Sequence, residues 1–486
     1  MGLRVFNTLG RRLEDLVPLR PPRVGIYVCG PTVYSHSHLG HAKSYVSFDA
    51  IIRWLRYSGY DVTYIQNITD VGHMTENDED AGEDKIMVEA RRRGLHPMAV
   101  VELFMKSYLD DMDALNIARP DIMPRASGHV PEQIECVKKL LANGYAYEVN
   151  GSVYFDVHSY PQYGQLSGRN VAELEAGARV AVNEEKRHPA DFALWKRAEP
   201  GHIMRWPSPW GEGFPGWHLE CSVMSQKYIG DTLDIHGGGL DNQFPHHECE
   251  IAQGECTTGQ PFCRYWLHNN MCTLNGQKMS KSLGNTINLK QLFYEGHPLL
   301  ERTFAPVVVK HFILTSHYRA PLDFSNEALK AAESGCYKLR DAARELARAA
   351  QKASSAAPSA AIRAALADVE KRFADAMNND FNTAAAIATL FDFTRQTGRW
   401  IAEGVGREDL LAADTLMQRW TGEVLGLRWS DEPQANQARE NGLIQLLVNL
   451  RNAARKNKDF QLADHIRQRL GALGVELRDT PEGTKW

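Results

Sequence analysis

A chain of 486 residues is too long for one ordinary domain and points to three or more units. With 43% hydrophobic and 24% charged residues it has the composition of a soluble globular enzyme. Its net charge of −5 excludes a generally basic surface, so any contact with nucleic acid must come from local faces. No apolar run approaches the roughly 20 residues that span a bilayer. The first dozen residues carry neither a long apolar core nor a cleavage-site pattern, so a cytoplasmic protein without membrane contact is expected. In that compartment the eight cysteines read as metal ligands, catalytic groups or buried small residues rather than disulfides.

Residues 23–29 read as a short apolar strand (Val24, Ile26, Val28), followed by a loop over 30–38. A helix is predicted over 41–57, with Tyr45, Phe48, Ile52 and Leu55 on one face, Ser58-Gly59 at its end, and a second strand over 62–68. This is a right-handed βαβ unit with parallel strands. Residues 76–84 hold six acidic side chains in nine and are expected to form a solvated loop rather than a metal site. Residues 120–215 break the pattern with an aromatic, hairpin-like stretch (145–163) and a Trp/Pro/Gly run (206–217), which reads as an inserted subdomain. A strand over 231–236 then leads through Gly237-Gly238-Gly239 to a helix over about 244–253, with Asp241 or Asn242 as its cap, Pro245 in its first turn and Gly254 at its end. Strand-like residues 264–273 lead to a polar loop over 275–285. Beyond about residue 325 the chain is rich in Ala, Leu and Arg and reads as helices, with a linker over 354–361. A last unit from Asp431 has a helix ending near Arg455 and another from Asp459, with Phe460, Ala463, Ile466, Leu470 and Leu473 on one face.

Two short motifs carry chemistry. His38-Leu39-Gly40-His41 lies between strand and helix, where a helix N-terminus favours phosphate oxygens. Lys278-Met279-Ser280-Lys281-Ser282 lies in a loop, and its two lysines can close on a polyphosphate. Each alone is weak, since a histidine pair is more often structural and such a loop is more often a solvated turn. Together, on opposite halves of one α/β sheet, they resemble the HIGH and KMSKS signatures of the class I aminoacyl-tRNA synthetases. The resemblance implies a Rossmann-type catalytic domain that activates an amino acid with ATP and transfers it to tRNA. It implies that His38, His41, Lys278 and Lys281 stabilise charge at the α-phosphate and that Mg2+ accompanies ATP.

Cys29, Cys221, His246 and Glu250 offer two thiols, an imidazole and a carboxylate, a set that suits zinc. On the residues alone the alternative stays open that both cysteines are buried small residues and His246 a helix-start histidine. The phrases Tyr27-Val28-Cys29-Gly30-Pro31-Thr32-Val33-Tyr34, Asn67-Ile68-Thr69-Asp70, Gly216-Trp217-His218-Leu219-Glu220-Cys221, Ile235-His236-Gly237-Gly238-Gly239 and Phe244-Pro245-His246-His247-Glu248-Cys249-Glu250 are similar to those of the cysteinyl-tRNA synthetases. The similarity covers nearly the whole chain, including its last residues, 474–486.

That resemblance implies one Zn2+ per chain on those four residues, with the substrate thiolate bound to the metal. Serine would be rejected at binding and no editing domain needed. It further implies contacts to L-cysteine from Gly30, Thr69, Trp217, His236 and Asp241, and to ATP from His38, His41, Gly237, Gly238, Gly239 and Lys281. Arg455, Asp464 and Asp479 would read the anticodon of tRNA(Cys). The implied fold class is α/β: a Rossmann-type catalytic domain (1–119 and 216–287) with a connective insert (120–215), a stem-contact region (288–335), a helical bundle (336–430) and a small anticodon-binding domain (431–486). A monomer is expected. Cysteines 136, 249, 256, 263, 272 and 336 are read as incidental, and His247 flanks the ligands without sharing the face of His246 and Glu250. Lys43 stands where an arginine is common in the family, and residues 71–84 are longer and more acidic than in many relatives. A ligase that joins activated cysteine to an amino sugar shares the catalytic half but lacks the terminal unit. A catalytically silent RNA-binding paralogue would not need the intact signature histidines and lysines.

Overall fold

The computed structural model describes every residue except 1, 75–81, 172–184, 280–283, 430–433, 473–474, 476, 481–482 and 486. Its centre is a four-stranded parallel sheet in the order Cys263–Asn269, Leu233–Gly239, Arg23–Val28, Asp61–Gln66. From Val24 onward the Arg23–Val28 strand is wholly buried, as a parallel strand covered on both faces should be. It pairs with the next strand in sequence on one side and with the third on the other. The chain direction of the crossovers therefore reverses at this strand, and a crevice opens at its carboxyl end.

The crossover helix spans Leu39–Tyr57, beginning two residues before its predicted start because His38 serves as its N-cap. Within it Tyr45, Phe48, Ile52 and Leu55 are all buried. The second half of the domain departs from expectation in three places. The helix after the glycine run spans His246–Thr258 and ends at Gly259, whose φ of 71° is the left-handed cap. Gly254 lies inside it, where an added Cβ would stand 2.2 Å from Phe262 Cδ2. A separate 3-10 turn, Leu240–Gln243, precedes the helix, so neither Asp241 nor Asn242 caps it. The stretch predicted as one strand is two, since Cys263–Asn269 completes the parallel sheet whereas Cys272–Leu274 joins a small sheet with Gln277–Lys278 and Leu322–Phe324.

The insert forms an antiparallel sheet of Ala146–Val149, Ser152–Phe155, Phe192–Arg197 and Gly213–Pro215. Its first turn is Asn150-Gly151, both at positive φ (54° and 87°), the backbone that matches the right-handed strand twist. The insert shares one hydrophobic core with the catalytic sheet, running from Tyr27 and Trp266 through Leu219 to Phe192 and Trp195. Asp84, expected in a solvated loop, is 2% exposed. It caps the Lys85–Arg93 helix through Ile86 N and Met87 N and accepts from Gly72 N. Residues 76–81 of that loop lie outside the described residues.

The long helices Asn326–Lys352, Ala360–Met377, Thr383–Ala402 and Arg407–Gln418 follow. A buried ionic knot ties the signature helix to what comes after the sheet. Lys310 Nζ lies 2.6 Å from Asp49 Oδ2 and 2.9 Å from Asn116 O. Arg53 also pairs with Asp49 (2.8 Å) and donates to Glu423 O. The chain divides into two compact units, Met1–Arg428 and Trp429–Trp486. In the second, the helices Gln434–Lys456 and Phe460–Ala472 pack around Val448, Leu470 and Leu477. Ala463 is buried there, but Phe460, predicted on the core face, is 59% exposed, and Leu473 lies outside the described residues.

Candidate active site

The carboxyl ends of the Arg23–Val28 and Leu233–Gly239 strands open into a cavity of about 650 Å3. Cys29 follows the first of these strands, Cys221 lies in the Trp217–Tyr228 helix, and His246 and Glu250 share one face of the His246–Thr258 helix. All four are buried, and one donor atom of each lies within 4.8 Å of the others. The two sulfurs are 4.0 Å apart, close to the spacing of two thiolates that share a tetrahedral ion at about 2.3 Å.

The charges agree with that geometry. Burial opposes ionisation of the Cys29 thiol, but hydrogen bonds from Cys221 and His246 outweigh it and bring Cys29 down to about 6. Burial and the neighbouring Cys29 hold Cys221 well above the ordinary thiol range. Burial also opposes the Glu250 carboxylate, yet His236 and His246 draw it down to about 2. Against its own burial, His246 is raised by Glu250, whose Oε1 lies 3.1 Å from His246 Nε2. Two sulfurs, one imidazole and one carboxylate, dry and convergent, form a donor set that fits zinc.

A layer of histidines backs this set. His236 is fully buried and does not line the cavity. Its Nε2 lies 2.6 Å from Glu250 Oε2, and its ring stacks on Trp266 at 4.6 Å. His236 meets the back of Glu250, because its strand is covered by the helix that carries that residue. His218 Nδ1 lies 2.9 Å from His246 Nδ1. His247 Nε2 lies 3.2 Å from Cys29 Sγ, and its Nδ1 lies 2.8 Å from His268 Nε2. His247 thus joins the cluster although it sits off the His246 and Glu250 face. Cys29, His236, His247 and Glu250 form a second convergent donor group. Adjacent histidines at 246 and 247 were the only trace of this in the sequence.

The wall of the cavity holds Thr69, Trp217 and Asp241. The Thr69 hydroxyl donates to Glu220, a buried carboxyl whose pKa burial pushes well up. The Trp217 ring is stacked between His73 and His246, with centroids 4.2 Å away on each side. His73 was not foreseen, since it belongs to the lengthened stretch after the second strand. Gly30 N donates to Asn67 Oδ1, and a Cβ on Gly30 would stand 1.6 Å from Asn67 O, so only glycine fits. Gly239 lines the cavity, whereas Gly237 and Gly238 do not. A Cβ on Gly237 would meet Phe48 at 2.2 Å and one on Gly238 would meet His247 at 2.8 Å, so both glycines serve the packing beneath the cavity.

Also lining the cavity, His38 accepts from Gly40 N (3.1 Å), while His41 Nδ1 accepts from the His38 N–H (3.1 Å). This reciprocal cap places the two rings 4.0 Å apart at a helix start with no acidic residue in its first turn. Lys278 is exposed and borders the same cavity. Lys281 lies outside the described residues. In the unit 429–486, Arg455 and Asp464 are exposed on consecutive helices, and Asp479 pairs through its backbone with Thr484.

The family model for the tRNA synthetases class I (C) catalytic domain matches residues 15–334, and that for the DALR domain matches residues 372–429. The chain is 50% identical over 497 residues to a cysteine–tRNA ligase of Chlorobaculum tepidum, covering 100% of this chain and 99% of the relative. It is 49% identical over 489 residues to one of Thermus thermophilus, with the same coverage. The chain belongs to the cysteine–tRNA ligase family. As a member it is an aminoacyl-tRNA ligase. Solved structures agree at the level of fold. A Mycobacterium tuberculosis methionyl-tRNA synthetase bound by methionyl-adenylate matches with a TM-score of 0.56 at 16% identity, covering 81% of this chain and 88% of that one. The LeuRS–tRNA–LeuAMS complex of Agrobacterium radiobacter K84 matches at 0.59 and 12%, covering 85% of each. In this cysteine–tRNA ligase family member, two buried thiols and a capped helix start thus line one cavity. No helix among the described residues is long and apolar enough to cross a membrane.

Proposed function

We propose that this chain activates L-cysteine with ATP and transfers it to tRNA(Cys), selecting cysteine over serine through one zinc ion held by Cys29, Cys221, His246 and Glu250. The observation that carries the reading is that these four donors converge, buried, and that three of them, Cys29, Cys221 and His246, line the cavity that His38, His41 and Lys278 also border. A bound zinc would offer a thiolate a coordination position that a hydroxyl fills poorly.

The chain's own groups supply the rest. The helix start at His38 and His41, with Lys278 on the same cavity, favours the phosphate oxygens of ATP and the charge that develops on them during adenylate formation. Lys281 shares this role on the strength of the signature, and Mg2+ accompanies the nucleotide. Asp241 has the charge to hold the substrate ammonium. Thr69, Trp217 and Gly30 shape the wall around its small side chain. His236 acts as a positioning residue by holding Glu250. Arg455, Asp464 and Asp479 read the anticodon with the unit that begins near residue 431, and residues 288–335 and 336–430 carry the stem contacts and the helical bundle.

Purified protein is expected to contain about one zinc per chain by elemental analysis and to catalyse cysteine-dependent exchange of pyrophosphate into ATP, with serine activated far more weakly. Full cysteine exchange in metal-free protein would overturn the zinc reading, and absence of exchange with cysteine would overturn the function.

A further inference from the structure

His73 lines the cavity beside Trp217, and the reaction as proposed gives it no part. We propose that His73 is a specificity-determining residue. By fixing the Trp217 ring it sets the length of thiol that the amino-acid pocket accepts, admitting cysteine and rejecting homocysteine, the thiol one methylene longer. The inference rests on the cysteine reading above and deepens it.

Backbone and side chain together hold His73 in place. Its neighbour Gly72, at φ 81°, donates from N to Asp84 Oδ2 (2.8 Å). A Cβ on Gly72 would stand 2.5 Å from Pro215 O, so glycine lets this segment press against the one that leads into Trp217. His73 O accepts from Lys85 N (2.9 Å). The imidazole is engaged at both nitrogens: Nδ1 lies 2.6 Å from Thr32 Oγ1, and Nε2 lies 2.5 Å from Lys85 Nζ. The Lys85 ammonium can only donate, so Nε2 accepts and Nδ1 carries the proton toward Thr32. Thr32 pairs through its backbone with Thr69, and both line the cavity. The plane of the imidazole is thus set by the same wall that shapes the pocket.

That plane lies nearly parallel to the indole of Trp217, at 7°, with centroids 4.2 Å apart, and His246 covers the other face of the indole at 4.2 Å and 26°. Three rings therefore run in one stack from the donor residue His246 to Thr32 and Lys85, and the indole cannot turn without giving up a stacked neighbour. A donor set that takes a thiolate does not distinguish cysteine from homocysteine, because both present the same sulfur. Length has to do so. In the proposed reading the sulfur is held at Cys29, Cys221, His246 and Glu250 and the ammonium at Asp241, which fixes both ends of the substrate. A further methylene must then be taken up by the wall to which Thr69 and Trp217 contribute. One methylene in a fitted pocket changes discrimination by about 10–200-fold, provided the wall does not yield, and His73 is the group that backs the largest side chain in it.

The test uses the full chain with His73→Ala, His73→Gln and His73→Phe, each also combined with Trp217→Ala. For each protein kcat/KM of pyrophosphate exchange is measured with cysteine, homocysteine and serine, and the affinities for cysteine and homocysteine are measured by calorimetry. Loss of the ring in His73→Ala and His73→Gln is expected to raise the homocysteine-to-cysteine ratio roughly tenfold, in kcat/KM and in affinity. The serine-to-cysteine ratio should stay at its wild-type value, since serine is rejected for its hydroxyl and not its length. His73→Phe, which keeps a plane against the indole, should stay near the wild-type homocysteine ratio. With Trp217→Ala there is no indole to fix, so removing His73 should change the ratio no further. Partial unfolding removes active protein equally for all three amino acids and leaves these ratios untouched. A wild-type homocysteine ratio in both ring-less variants, an equal rise in His73→Phe, a further rise on the Trp217→Ala background, or a serine ratio that rises with the homocysteine ratio would each overturn the inference. Wild-type protein that fails to exchange with cysteine would instead sink the proposed function.

Discussion

Lys278 is exposed at the cavity, while Cys29, Cys221, His246 and Glu250 are buried, and the two kinds of residue should fail differently. In the proposed role, removing the Lys278 ammonium takes away charge stabilisation that matters most at the transition state. Lys278→Ala is expected to slow adenylate formation roughly a hundredfold, about 3 kcal/mol, with cysteine affinity nearly kept. Stopped-flow kinetics and equilibrium titration with cysteine separate the two, and a collapse of cysteine affinity at a normal rate would contradict the assignment. The sequence made the four donors legible only through the phrases around them, since Cys29 and Glu250 are 221 positions apart. The histidines behind them were not legible. His218 and His268 acquire their roles from partners on other elements, which no local spacing encodes. The contact of His236 with Glu250 was hidden for the same reason, since the two lie on different elements.

At the scale of elements, the apolar runs of the parallel strands and the face of the first helix were plain in the sequence. Helix ends were less so. Gly254 reads as a stop signal, yet it lies mid-helix because Phe262 packs against it, and the stop falls at Gly259. The ionic knot between the signature helix and the Pro306–Leu314 helix was invisible, because it unites residues 261 positions apart. It makes a prediction about pH. Burial depresses Lys310 to about 8 in spite of the pull of Asp49, whereas an unfolded lysine titrates near 10.4. The folded pKa is the lower of the two, so between about pH 8 and pH 10 the unfolded chain binds more protons and stability rises with pH. Lys310→Met leaves Asp49 paired with Arg53 and removes this term. Urea denaturation at pH 7.5 and 9.5 should show the wild type gaining on the order of 2 kcal/mol relative to the variant. Parallel behaviour of the two proteins would contradict the buried charge.

At the scale of the whole molecule, the candidate active-site residues all lie in Met1–Arg428, and Trp429–Trp486 has a small core of its own. The change of composition near residue 325 and the new amphipathic pattern near 431 were legible. The extent of the shared core between insert and sheet was not, because it is built from aromatic residues that read locally as a hairpin. If the terminal unit reads the anticodon, Arg455→Ala should weaken charging of tRNA(Cys) by about 1–3 kcal/mol at low tRNA concentration, leave pyrophosphate exchange intact, and blunt the response to anticodon changes. Steady-state charging of wild-type and anticodon-altered transcripts checks this, and unchanged discrimination would make the unit a structural cap.

Contact between the substrate sulfur and a metal at Cys29 and Cys221 is the central feature of the proposed function. Cobalt substituted for zinc reports this directly, through the thiolate-to-metal charge-transfer absorption. The absorption is expected to strengthen when cysteine is added, because a third sulfur joins those of Cys29 and Cys221, and to stay as it was when serine is added. A spectrum that cysteine leaves unaltered at saturating concentration would contradict the claim.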